Sequence, residues 1–166
     1  MRTCILTLYV LILTLSQASA GDTSKKNEKI LPNQGSCSEK LSYMLNRLRE
    51  NPLDGKICNS VGFYYYELGS YGSAVEYYSK AIMLSPEYLV SYNNLGVVYL
   101  KTGQLHLAEE NFRRAIELDP KYIKAICNLA VVCFKLKKKD EALELYYQAR
   151  MLNPGYVMER ISRFKR

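Results

Sequence analysis

Between residues 55 and 156 the apolar positions recur at three- and four-residue steps, the period of amphipathic helices rather than of strands. Short polar turns break the pattern, and the broken pattern then repeats as a whole. Leu95-Gly96, Tyr99, Gly103, Ala108, Phe112, Ala115 and Pro120 stand 34 residues after Val61-Gly62, Tyr65, Gly69, Ala74, Tyr78, Ala81 and Pro86. They stand 34 residues before Leu129-Ala130, Cys133, Lys137, Ala142, Tyr146, Ala149 and Pro154. Three gapless copies at one spacing are the signature of a repeat architecture. The units span 55–88, 89–122 and 123–156, and each reads as two helices joined by a turn.

The residue types explain the pairing. Small residues at unit position 8 (Gly62, Gly96, Ala130) and position 20 (Ala74, Ala108, Ala142) let the two helices of a unit approach closely. Large residues at positions 11 and 24 fill the space beside that contact, and Ala at position 27 serves the next unit in the same way. Gly69 and Gly103 at position 15 allow the left-handed backbone that ends the first helix. Lys137 departs there, and Lys137-Lys138-Lys139 predicts a charged turn instead. Pro at position 32 stops the second helix, after the turn-favouring Ser85, Asp119 and Asn153. One unit alone cannot bury its apolar face, so stacking must make one continuous core.

The flanks extend the pattern. Ser36 or Ser38 caps a predicted helix running to about Glu50, with Leu41, Met44, Leu45 and Leu48 on one stripe and Pro52 at its end. Pro52 lies one period before Pro86, so segment 36–54 reads as the second helix of a degenerate unit. Residues 157–166 begin a further unit, with Glu159, Arg160 and Arg163 as a solvating basic cap.

The 34-residue pattern of small and large positions resembles the tetratricopeptide-repeat family over 102 of the 166 residues. That resemblance implies an all-α fold, a right-handed α-solenoid of three helix-turn-helix units with flanking partial repeats. It also implies a binding surface, because in this family the first helix of each unit lines a concave groove. The groove positions are held here by Asn59, Ser60 and Phe63, by Asn93, Asn94, Val97 and Lys101, and by Lys124, Asn128, Val131 and Lys135. Position 6 reads Ser60, Asn94, Asn128; a carboxamide both donates and accepts, so a short ladder of them suits an extended peptide backbone. This ladder resembles the asparagine ladder of the superhelical domain in O-linked N-acetylglucosamine transferase. Lys101, Lys124 and Lys135 beside Val97, Leu100, Val131 and Phe134 suit an acidic-hydrophobic peptide; the alternative is that long lysine stems cover apolar surface while the ammonium stays wet. The carboxylate clamp of co-chaperones in this family is not reproduced. Asn94 and Lys124 match it, whereas Asn59, Phe63 and Asn128 occupy its other positions.

Composition and charge refine this picture. The first residues read as a secretory signal: Arg2, an apolar run from Cys4 to Leu15, then Ser16-Gln17-Ala18-Ser19-Ala20 with small residues before a cut after Ala20. The run is shorter than the roughly 20 residues of a spanning helix, so export is expected, to a periplasmic, secreted or envelope compartment. An uncleaved membrane anchor is the alternative. Residues 21–35 lack periodicity and read as a flexible tether. Residues 21–122 carry 12 Lys/Arg against 12 Asp/Glu, whereas residues 123–166 carry 10 against 4, so the positive excess sits at one end. Such polarity suits an acidic partner or an anionic membrane touched by the basic tail. Cys37, Cys58, Cys127 and Cys133 invite a disulfide framework in an exported protein. Cys127 and Cys133, however, would lie about 9 Å apart along one helix, and buried small hydrophobes are the better reading.

No catalytic or cofactor signature accompanies the repeat. The one histidine, His106, sits just after an inter-helix turn with no base or nucleophile set around it. No metal-ligand spacing, phosphate loop or basic-aromatic nucleic-acid surface is present in the sequence. The expectation is therefore a non-catalytic scaffold or adaptor that binds a protein or peptide. A self-associating structural module is the alternative, and the oligomeric state is left open by the residues.

Overall fold

The computed structural model describes the backbone of residues 35–164 and the side chains of residues 35–159. The expected signal and tether, up to residue 34, and the basic side chains from Arg160 onward lie outside the described residues. Eight helices follow one another without a strand among these residues: α1 (Cys37–Glu50), α2 (Gly55–Glu67), α3 (Tyr71–Leu84), α4 (Leu89–Lys101), α5 (Leu105–Leu118), α6 (Ile123–Lys135), α7 (Lys139–Leu152) and α8 (Pro154–Phe164). Helix pairs α2/α3, α4/α5 and α6/α7 pack tightly within themselves and then on their neighbours in sequence, as an α-solenoid. None of these helices is long and apolar enough to cross a membrane.

The small-residue logic holds atom by atom. Gly62 lies so close to the Tyr78 ring that an added Cβ would stand 2.8 Å from it, and Gly96 lies as close to Phe112, at 2.7 Å. Ala74, Ala81, Ala108 and Ala115 are fully enclosed. The core is a chain of linked clusters, one per junction. Leu41 and Leu48 of α1 meet Ile57, Cys58 and Val61 of α2. Ala74 and Tyr78 meet Leu95 and Val98. Ala108 and Phe112 meet Leu129, Val132 and Cys133. Ile126, Cys127 and Ala149 meet Val157 of α8. Cys127 and Cys133 thus enter different clusters from different faces of α6, and none of the four described cysteines is in a disulfide.

Caps set the boundaries. Ser36 caps α1 through a capping box, its side chain accepting from the Glu39 N–H while Glu39 accepts from the Ser36 N–H at 2.8 Å. Asp54 caps α2, its Oδ1 accepting from Lys56 N at 2.8 Å and Ile57 N at 3.0 Å. The third inter-helix turn corrects the sequence expectation. Lys137 takes φ 65°, beside φ 75° for Gly69 and 80° for Gly103. The closing bonds match as well: Ser70 N to Tyr65 O at 2.9 Å, Gln104 N to Tyr99 O at 2.8 Å and Lys138 N to Cys133 O at 2.9 Å. Packing of α6 on α7 therefore imposes the glycine geometry on a lysine. Pro154 also behaves differently from Pro86 and Pro120. It opens α8, a position where its missing N–H costs nothing, and Asn153 Oδ1 accepts from Tyr156 N at 3.0 Å.

Candidate functional site

The first helices α2, α4 and α6 touch one another directly, so their outer residues form one surface. Hydrogen bonds between carboxamides tie this row together. Asn94 Nδ2 donates to Asn59 Oδ1 at 3.0 Å, and Asn128 Nδ2 donates to Asn93 Oδ1 at 2.9 Å. Asn93 Nδ2 donates sideways to Asn94 Oδ1 at 3.3 Å, which links the two junctions, and Ser91 Oγ reaches Asn59 Oδ1 at 3.4 Å. Asn59, Asn93 and Asn128 are buried, Asn94 is half-buried, and Ser60 turns back to the Lys56 carbonyl. Much of the carboxamide capacity that would grip a peptide backbone is thus spent between units. A buried, satisfied polar chain of this kind fixes register as much as it stabilises. The sequence signal is a pair of asparagines 35 residues apart, one more than the period.

The remaining groove residues divide by exposure. Phe63, Lys101, Lys124 and Lys135 are exposed, while Val97 and Val131 are half-buried between them. Lys56 Nζ lies 5.8 Å from the centre of the Tyr88 ring, a cation–π distance at the edge of the same row. The surface thus offers apolar ledges flanked by ammonium groups, with Asn94 as the partly open amide.

A second constellation joins units two and three, and sequence reading missed it. Glu109 of α5 accepts from Lys138 Nζ at 2.7 Å through Oε1 and 2.9 Å through Oε2, and from Arg113 at 2.8 Å. Arg113 also bonds Glu141 of α7. Cys133 Sγ lies with the carboxylates of Glu109 and Glu141 inside a 4.8 Å cluster. Burial opposes the charge on Glu109, yet the hydrogen bonds from Lys138 and Arg113 outweigh it and hold the carboxyl below its usual range. Burial, then the charges of Glu141 and Glu109, push the Cys133 thiol up to about 11. A metal or an electrophile needs the thiolate, and both carboxylates are already committed to cations. The cluster is an inter-unit staple. Its only sequence sign is Glu109 at position 21, where the other units have Val75 and Leu143. His106 is exposed at the start of α5, away from this cluster's residues in sequence and burial.

Comparisons with known proteins agree with this architecture. The family profile for the tetratricopeptide repeat matches residues 90–122 and 123–156, and a related profile for the TPR repeat matches residues 62–103. No match is found among the curated proteins. Among solved structures, a crystal structure of MamA is 22% identical with a TM-score of 0.67, the alignment covering 72% of this chain and 70% of that one. The first TPR of Spaghetti (RPAP3) bound to the HSP90 peptide SRMEEVD is 23% identical with a TM-score of 0.62, covering 68% of this chain and 90% of that one. At these identities the likeness is one of fold.

Proposed function

We propose that this chain, a tetratricopeptide-repeat protein, is a non-catalytic adaptor that holds an acidic, partly apolar peptide along the row of α2, α4 and α6. Repeats of this family are in general protein-interaction scaffolds. One observation carries the finer reading: the amide chain from Asn59 to Asn128 pins the first helices side by side, and α4 and α6 carry half-buried Val97 and Val131 together with exposed Lys101, Lys124 and Lys135. Ammonium groups around apolar ledges favour carboxylates next to hydrophobic side chains, and they steer association at low salt. The acidic peptide SRMEEVD bound by the Spaghetti domain is of this chemical kind. The carboxylate clamp of co-chaperones in this family is not transferred here, since Asn59, Phe63 and Asn128 stand at three of its positions. Recognition on this reading rests on spaced charge and ledges instead.

The decisive comparison is affinity capture by wild type and by Lys101→Glu/Lys124→Glu, from the compartment in which the chain resides. Both lysines are exposed and outside the amide network, so the variant keeps its fold. An unchanged set of captured proteins removes the groove from this reading. The compartment itself is proposed as exported, from Arg2, the Cys4–Leu15 run and the small residues before Gly21. N-terminal sequencing of the protein from its host tests this, and an intact Met1 refutes it.

A further inference from the structure

The row of first helices repeats one two-point pattern three times. Glu67, Lys101 and Lys135 are the last residues of α2, α4 and α6, and each is exposed. Four residues earlier stand Phe63, Val97 and Val131, and an i, i+4 pair shares one face of its helix. Each helix thus presents an apolar ledge followed by a charge, and Phe63 is the most open of the ledges, at 44% exposed. The helices end alike: Leu68 N, Thr102 N and Leu136 N donate back to Tyr64 O, Val98 O and Val132 O at 3.1, 3.0 and 2.9 Å. Neighbours are also offset alike, since Asn94 to Asn59 and Asn128 to Asn93 are both 35 residues apart and bond at 3.0 and 2.9 Å. Equal offsets at the two junctions carry residues one period apart to equivalent places on adjacent helices, so Glu67, Lys101 and Lys135 form one file.

The signs in this file run minus, plus, plus, and helix physics explains only two of them. The C-terminal end of a helix carries a negative partial charge that favours lysine and opposes a carboxylate. Lys101 and Lys135 therefore stabilise their own helices, whereas Glu67 sits where its helix disfavours it, with no basic residue in the last turn of α2. A carboxylate one helical turn from an exposed aromatic ring suits a cation from outside. The ring takes the face or stem of that side chain, and the carboxylate accepts from its N–H groups. The first helices are in direct contact, which places neighbouring axes about 8–10 Å apart. In a polyproline II segment every third residue returns to the same side, after about 9 Å. A β-strand, with its two-residue period, would turn the middle member of such a series away.

We infer that the row selects its peptide by charge order: a polyproline II segment with a basic side chain over Phe63 and Glu67, then carboxylates over Lys101 and Lys135, at three-residue steps. The inference rests on the peptide reading of the row and sharpens it, because acidity alone no longer describes the ligand. Glu67 is the specificity residue. It repels a carboxylate that either lysine would accept, and so fixes which end of the segment lies on α2. Exclusion of the wrong charge discriminates alongside attraction of the right one.

The test is fluorescence anisotropy of labelled synthetic peptides titrated with the full chain. A proline-valine host carries Arg-x-x-Glu-x-x-Glu or its reverse, Glu-x-x-Glu-x-x-Arg, with Glu-x-x-Arg-x-x-Glu as the scrambled control. One of the two ordered peptides is expected to bind at least fivefold tighter than the control, and at least threefold tighter than the same charges at two-residue steps. Glu67→Lys, at an exposed helix end and checked by circular dichroism, should abolish that preference. It should also bind Glu-x-x-Glu-x-x-Glu at least fivefold tighter than wild type does. A control that matches both ordered peptides, or a folded Glu67→Lys that changes nothing, overturns the inference. Wild type that binds the all-glutamate peptide as tightly as the ordered one, with loss in Lys101→Glu/Lys124→Glu, overturns the charge order alone and keeps the acidic-peptide reading. Equal binding at two-residue steps overturns the polyproline II register. Absence of saturable binding by every peptide overturns the inference together with the reading beneath it.

Discussion

Replacing Gly96 with Ala adds one methyl group at the close contact between α4 and α5. The new Cβ would stand 2.7 Å from Cε1, 2.9 Å from Cδ1 and 3.0 Å from Cζ of Phe112. Favourable carbon–carbon contact lies near 3.5–4.0 Å, so α4 and α5 must part or the ring must turn. Phe112 is fully enclosed, and Ala108, Leu129 and Val132 share its cluster, so the ring has nowhere to go. Overpacking of this kind costs about 1–3 kcal/mol. Against it, Ala is about 1 kcal/mol better than Gly inside a helix. The expected net loss is thus about 0–2 kcal/mol, and its sign alone decides little.

A double-mutant cycle separates the two effects. Phe112→Leu removes the ring atoms that meet the new methyl, so Gly96→Ala in that background should express its helix preference without the clash. The coupling is expected to favour the double variant by about 1–3 kcal/mol. Urea denaturation followed at 222 nm measures all four proteins. The third unit supplies a control, since Ala130 already stands at this position opposite Tyr146, which is only half-buried. Ala130→Gly should lose about 1 kcal/mol. If Gly96→Ala raises stability by its full helix preference and the coupling is within about 0.5 kcal/mol of zero, close helix approach is not why glycine stands there.

Five other outcomes follow from the same geometry. Lys137→Gly should gain about 0.5–1 kcal/mol, the left-handed strain of lysine less the extra freedom of unfolded glycine, and Gly103→Lys should lose by the converse; denaturation midpoints check both. Asn128→Ala should cost about 1–2 kcal/mol by leaving Asn93 Oδ1 without its inter-unit donor, seen as faster amide exchange at the α4/α6 contact. Because the folded-state value of Glu109 is depressed, its contribution is present above the ordinary glutamate range and lost as pH falls through the depressed value; Glu109→Gln should flatten that part of the acid-stability curve. Cys133 works in the opposite sense: its raised value makes stability fall as pH climbs from about 9 toward 11, and Cys133→Ala should remove that slope. In the native protein at neutral pH a thiol reagent should reach half-buried Cys37 and spare Cys58, Cys127 and Cys133, as mass spectrometry of the labelled chain reports.

The fold was legible because its determinants are local in period. Gly62, Gly96 and the alanines at positions 20 and 27 announce helix contacts at fixed offsets, and a 34-residue shift makes them visible without any structure. The turn at Lys137 was not legible, since residue preference argues against a left-handed lysine and only the packing of α6 on α7 demands it. The groove was legible as a list of positions, but not in its division of labour. Asn59, Asn93 and Asn128 resemble ligand-facing amides when read one helix at a time. They become mutual partners once neighbouring units are brought side by side, a relation carried by an offset of 35 rather than 34. The Glu109 staple was hidden for a similar reason. Its members come from α5, α6, the turn after it and α7, and no single offset links them.

Polar contacts between units change along the stack, and the change has a direction. The first junction carries Asn59, Ser91 and Asn94; the second carries Asn93 and Asn128 and adds Glu109, Arg113, Lys138 and Glu141. At the end face the counterparts of Asn93 and Glu109 are Cys127 and Leu143. Apolar surfaces of similar shape slide past one another at little cost, whereas a buried amide pair or a neutralised carboxylate is satisfied in one register only. The inner junctions are therefore specified to receive one partner, the neighbouring unit of the same chain.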